Sequence, residues 1–365
     1  MPRPRRRWTR CPHERTNGRS EGRSRARRSP RGPRAGVGRM SPARRATVAR
    51  RAGGALALVL VLVALDFVWR DLSLVALAHA LHRQPPLRLA ACLGLTAASF
   101  ACLALYDVVG VRVAAPGRVG TRLALLAGAT SAAVANTLGF HAVSGSAVRA
   151  HLYLPAGLTG AQVARVVSTS WLALVAGNAA MLAGTELVQA ATGPDPAWHA
   201  AAGVALESLL IGWLWWLARG PRQVALGRWR LPMPPARVAL CLMTLGAVES
   251  ATAIGALHVL LPGDLAPPFD VFAVGCIAAV LLGVVSHAPG GLGVFEAGMT
   301  AVLSGRGRPD LLAALLLYRL LYNLLPFALA VLALGLRSGG GTLARRLGAW
   351  RTGRRGRRPA CRAGA

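Results

Sequence analysis

From Gly53 onward the chain is a succession of apolar runs separated by short polar segments. Runs at Gly53 to Trp69, Arg88 to Val109, Val166 to Ala191, His199 to Ala218, Val238 to Leu261 and Leu311 to Leu336 are each near the length that crosses a bilayer as a helix. A soluble fold could not cover that many runs with polar surface. Two further apolar stretches are interrupted. Leu123 to Phe140 meets Asn136, Gly139 and His141, then Ser144-Gly145-Ser146-Ala147-Val148-Arg149, before a short helical piece ends at Pro155. Val271 to Ser286 meets His287-Ala288-Pro289-Gly290-Gly291-Leu292-Gly293 and restarts as Val294 to Ser304. Proline has no amide donor and glycine costs the most ordering entropy, so the helix must break there. Such a break is tolerated at membrane depth only where protein or a watery cavity satisfies the freed backbone.

Composition agrees with a polytopic all-α membrane bundle: 54% of the 365 residues are hydrophobic and only 15% are charged. All 43 basic residues are arginine, and the net charge of +30 gathers mostly in two tails. Arg3 to Arg51 holds eighteen arginines against Glu14 and Glu21, and Arg337 to Arg362 holds nine against no acid. Residues 1–51 and 338–365 therefore read as disordered basic flanks of a membrane domain over 52–337. Their expected partners are anionic lipid headgroups rather than nucleic acid. Met40, just before the first run, is an alternative start. Ala78-His79-Ala80 resembles a signal-peptide cleavage site, but a leader that long, with so many runs after it, is the weaker reading. The six cysteines form no C-x-x-C pair, and neither disulfide framework nor metal site is expected.

Arginine bias sets the topology. The loops with Arg112, Arg118 and Arg122, and with Arg219 to Arg237, fall in the cytoplasm together with both tails only on one condition: each interrupted stretch must leave and re-enter on the same face. That predicts about six full spans plus two broken re-entrant units, one from each face. The order of elements is the one expected of an inverted-topology repeat. Arg306 to Arg308 is the exception, an arginine loop on the outer side.

Charged residues inside a membrane face a cavity or a partner. Arg149 follows the first break, Arg319 lies in the last span, and Glu186, Glu207, Glu249 and Glu296 lie in or beside spans. Guanidinium groups suit a phosphate; carboxylates suit a cationic headgroup or a proton. Pairing into structural ion pairs is the competing account. Asn136 and Asn323 read as bonds across helices, and His141 and His287 as groups that satisfy broken backbone. No P-loop, HExxH or hydrolase constellation occurs, and the glycine run Gly290-Gly291-x-Gly293 follows no strand, so no cofactor is expected.

Three motifs together resemble the lysylphosphatidylglycerol synthase transmembrane-region family. They are Asn136-x-x-Gly139-Phe140 with Ser144-Gly145-Ser146-Ala147-Val148-Arg149-x-x-Leu152-Tyr153-x-x-x-Gly157-Leu158, then Pro289-Gly290-Gly291-Leu292-Gly293-Val294-Phe295-Glu296, then Leu317-Tyr318-Arg319-x-x-Tyr322-x-x-Leu325-Pro326. The resemblance covers roughly Gly53 to Leu336. Ala150-His151 departs from it, standing where the family reads more like Tyr-Arg. A short arginine tail replaces the soluble synthase domain, so no enzymatic step is expected. What the resemblance implies is translocation or binding of a phosphate-bearing lipid, anionic or aminoacylated, in the inner membrane with both termini cytoplasmic. Arg149, Arg319, Glu296, Glu249, Gly290, Gly291, Tyr153, Tyr318 and Asn323 are then the candidate lipid-binding residues. A secondary transporter of a small solute and a non-transporting accessory protein are the alternative functions.

Overall fold

A computed structural model describes residues 81, 84–139, 141–220, 222–226, 229–286, 293–305 and 307–337. The first expected span, the basic tails and the His287–Leu292 segment lie outside the described residues. Among the described residues the helices run in chain order α1 (Pro86–Ala114), α2 (Thr121–Leu138), α3 (His141–Tyr153), α4 (Gly160–Thr192), α5 (Pro196–Ala218), α6 (Ala236–His258), α7 (Phe269–Val285), α8 (Val294–Val302) and α9 (Pro309–Arg337). Among them α1, α4, α5, α6 and α9 are long and apolar enough to cross a membrane. The five expected spans that fall within the described residues are thus present. The arginine loop between α5 and α6 is a small antiparallel hairpin, β1 (Gln223–Leu226) with β2 (Trp229–Pro232).

Local sequence fixes the helix starts. Proline opens α1, α5 and α9, where a missing amide donor costs nothing. Thr159 and Gln162 form a reciprocal capping box at the start of α4, each side chain accepting the other's backbone amide. At the far end of α5, the guanidinium of Arg219 lies 3.4 Å from the ring centre of the exposed Trp215, and Arg222 stacks on Trp216 at 5.1 Å. Trp198 is exposed at the other end. Eighteen residues of helix separate Trp198 from Trp216, about 27 Å, close to the thickness of a bilayer's hydrocarbon core. That spacing suits tryptophans of the two interfacial belts.

Small residues let the spans approach closely, as membrane interfaces require in place of a hydrophobic drive. A Cβ at Gly177 of α4 would overlap the backbone of Gly246 in α6. One at Gly128 of α2 would lie 2.8 Å from Ala104 Cα of α1.

Three contacts sort the helix ends. Gln84 Nε2 donates to the Leu260 carbonyl at 3.2 Å and Arg88 to that of Leu261 at 3.1 Å, so the start of α1 meets the end of α6. Arg308 pairs with Asp264 at 2.8 Å, bringing the start of α9 to the same end.

The first break lies earlier than the sequence predicts. Ser144 to Arg149 is helical, inside α3, and the chain turns instead at Gly139, whose φ of 71° is left-handed. The small residues serve packing. Gly145 lies on the face of α3 that packs on α2, where a Cβ would make ordinary contact with Ala135 at 3.5 Å and the Ser131 carbonyl at 3.6 Å. Ser144 Oγ donates to the Gly139 carbonyl at 2.9 Å and satisfies the broken turn. At the second break Gly293, with φ 73°, starts α8, and its amide donates to Glu296 Oε2 at 2.9 Å.

Candidate functional site

Three polar clusters lie along the axis of the bundle. The first joins α1, α3 and α4. Arg149 Nε donates to both Asp107 oxygens at 2.9 and 3.1 Å, and a terminal nitrogen reaches Oδ1 at 2.7 Å. Tyr153, one turn beyond Arg149 on the same face, donates its hydroxyl to Asp107 Oδ2 at 2.7 Å. Ser170 of α4 accepts from Arg149 at 3.2 Å and donates to Asp107 at 3.3 Å. Asp107 is wholly buried and Arg149 nearly so, so the pair is bidentate, desolvated and locked by neutral hydroxyls.

The second cluster joins α8 to α9. Arg319 Nε pairs with Glu296 Oε1, while the other Glu296 oxygen holds the Gly293 amide. The carboxylate thereby caps the first turn of α8, where it also faces the positive end of the helix dipole. Tyr318 stacks on Tyr322, with ring centres 5.0 Å apart at 13°, and on Phe295 at 6.4 Å.

Between these two sits Glu249 of α6, buried. The hydroxyls of Ser99 of α1 and Tyr322 lie 3.1 and 3.3 Å from its Oε1 and 2.7 Å from each other, so one hydroxyl donates to the carboxyl oxygen and the other donates to that hydroxyl or to the carboxyl. The order along the axis follows from the helix ends. Asp107 is eight residues beyond Ser99 in α1, about 12 Å toward the hairpin end. Arg319 is three residues before Tyr322 in α9, toward the opposite end. Arg149 and Arg319 are accordingly two stations on either side of Glu249, not one clamp.

One element joins the second cluster, Glu249 and the tip of α2. Residues Arg319–Leu324 form a π turn within α9, closed by the Leu325 amide on the Leu320 carbonyl five residues back. Pro326 stands just after it and offers no amide to the Tyr322 carbonyl four residues earlier, which favours such a turn. The turn presents Arg319 to Glu296, Tyr322 to Glu249 and Ser99, and the Asn323 carbonyl to Thr137 near the tip of α2 at 3.2 Å.

Of the residues read from sequence, Arg149 and Tyr153 come together, as do Arg319, Glu296 and Tyr318. Glu249 stands between them. Asn323 takes part through its carbonyl, and Gly290 and Gly291 lie outside the described residues. Glu186 is held by His199 Nδ1 at 2.7 Å, a link between α4 and α5. Asp107, Ser99, Ser170, Thr137 and Tyr322 are absent from the residues expected to bind. Two of them carried a signal: Asp107 as an acid inside an apolar run, and Tyr322 as part of the third motif.

No family model matches the chain. An uncharacterised protein of Synechocystis sp. is 29% identical over 257 residues, which cover 68% of this chain and 79% of that protein. The inner membrane protein YbhN of Escherichia coli is 29% identical over 203 residues, 52% of this chain and 62% of that protein. With five long apolar helices among the described residues, the chain is a multi-pass membrane protein with an inner membrane relative.

Proposed function

We propose that this protein is a flippase-like translocase of the inner membrane, of the lysylphosphatidylglycerol synthase transmembrane-region type, that moves a phosphate-bearing lipid between leaflets without a chemical step. The observation that carries the reading is the pair of arginine–carboxylate locks. Arg149 with Asp107 holds the returning arm of the first broken unit, and Arg319 with Glu296 that of the second, on opposite sides of Glu249. A lipid phosphate has the charge and the oxygen geometry to replace either carboxylate on its guanidinium. Exchange at one lock frees an arm on one side of the bundle, as alternating access around broken helices requires. Both termini are cytoplasmic in this reading, where the basic tails meet anionic headgroups.

The test is leaflet-resolved lipid movement in proteoliposomes containing wild type, Arg149→Gln or Arg319→Gln. Wild type should move an anionic or aminoacylated phospholipid faster than protein-free vesicles, and each variant should lose that excess. Movement of every tested phospholipid by wild type at the protein-free rate overturns the reading. Uptake of a water-soluble solute in its place would favour a secondary transporter.

A further inference from the structure

Two carboxylates are buried among the described residues, Asp107 and Glu249. Asp107 has an arginine; Glu249 has hydroxyl groups and no cation. The titratable groups facing Glu249 are Cys102 and Tyr106 of α1 and Tyr318 and Tyr322 of α9, none of them a positive group. From α4 the polar neighbour is Asn178, which accepts from Ser250, and from α7 Cys276 lies beside the tyrosines. On α4, Arg165 is exposed and Glu186 is taken by His199 of α5, whose remaining acid is the half-buried Glu207. A buried carboxylate held by hydroxyls, with no cation among the described groups that face it, is neutralised by the one ligand small enough to enter a closed site, a proton. A lipid amine has no room there, since Glu249 is only 6% exposed.

We propose that Glu249 is the proton-carrying group of the translocation cycle, and that the π turn of α9 transmits its protonation to both broken units; this rests on the translocase reading above. In the arrangement described, the proton sits on a Glu249 carboxyl oxygen and Ser99 and Tyr322 complete its hydrogen bonds. When the proton leaves to water, the negative charge draws the Tyr322 hydroxyl harder, and Tyr322 cannot move without the turn that carries it. The same six residues hold Arg319 on Glu296 and the Asn323 carbonyl on Thr137. A proton at Glu249 is thereby felt at the second lock and at the tip of the first broken unit.

Infrared difference spectroscopy of the full chain in lipid reads this without a transport assay. Wild type at neutral pH should show the carbonyl stretch of a protonated carboxylic acid, shifted in heavy water and missing in Glu249→Gln. Tyr322→Phe should keep the band and move its frequency. A band that Glu249→Gln leaves untouched, or its absence from wild type, overturns the protonation; a Tyr322→Phe band at the wild-type frequency overturns the link to the π turn. In proteoliposomes, an inward pH gradient should change the lipid rate of wild type and leave that of Glu249→Gln unchanged. An equal response in both overturns the coupling. If no lipid moves in either, the translocase reading fails, while the infrared band still decides whether Glu249 holds a proton.

Discussion

At the scale of single residues, the cost of a buried charge decides what each acid can be. Arg149 and Asp107 have left water together, so removing one strands the other. Asp107→Leu should therefore destabilise the protein by about 3–5 kcal/mol, and adding Arg149→Met should restore most of the loss, because a well-packed apolar pair replaces a desolvated ionic one. Thermal unfolding of the detergent-solubilised protein measures both; a single variant that melts with wild type would show the pair to be solvated. Much of this cluster was legible in the sequence. Arg149 and Tyr153 are spaced to share a helix face, and both were among the residues expected to bind. Their anchor was not, because Asp107 falls near the end of an apolar run and passes for an interfacial residue. Ser99, Ser170 and Thr137 could not have been found, since a hydroxyl in a membrane helix satisfies itself on its own carbonyls until the tertiary fold supplies a partner. Ser170 has both within reach of its one proton, the Val166 carbonyl at 3.1 Å and Asp107 at 3.3 Å.

Among the elements, glycine means two different things. At Gly139 and Gly293 it supplies left-handed backbone at the breaks. At Gly177 and Gly246 it supplies contact between α4 and α6. Gly177→Ala should cost about 1–3 kcal/mol through overpacking of backbone on backbone. Gly184→Ala, two turns along the same helix with open space around it, should gain about 0.5–1 kcal/mol from helix entropy. Melting temperatures moving in opposite directions check the contrast. The break at the tip of α2 was misplaced by sequence reasoning for the same cause: Ser144-Gly145-Ser146 has the composition of a turn, and only its partner surface shows that it packs. The π turn was equally hidden, although Pro326 was in view. Pro326→Ala gives the Tyr322 carbonyl its amide back and lets the turn relax to α-helix, which rotates residues on one side of it by about 100° against the other. Arg319 on Glu296 and Tyr322 on Glu249 then cannot both persist. The expected outcome is a folded protein with wild-type helicity by circular dichroism and lipid movement reduced to the protein-free rate; full activity would deny the turn its role.

For the whole molecule, charge parity and helix ends are independent lines that meet. The arginine loops require each interrupted stretch to re-enter on its own face. The structure turns α3 back on α2 at Gly139 and ties the start of α1 to the end of α6. The loop that breaks the parity is also accounted for locally: Arg308 is engaged by Asp264 at 2.8 Å and by Asp310 at 2.6 Å, so it is held as a clasp between two loops at that end. The two ends can therefore be assigned by a side-specific label in a cysteine-free background. Gly263→Cys, exposed beside Asp264, should react with a membrane-impermeant maleimide on intact cells, and Gln223→Cys in the arginine hairpin only after permeabilisation. Reversed labelling at both sites would turn the protein over in the membrane, putting the Arg319 lock on the cytoplasmic side, while leaving Glu249 between the locks. Labelling of both from one side would be more serious. Gly263 and Gln223 lie beyond opposite ends of α6, so α6 would not cross the bilayer, and the two locks would no longer face opposite leaflets.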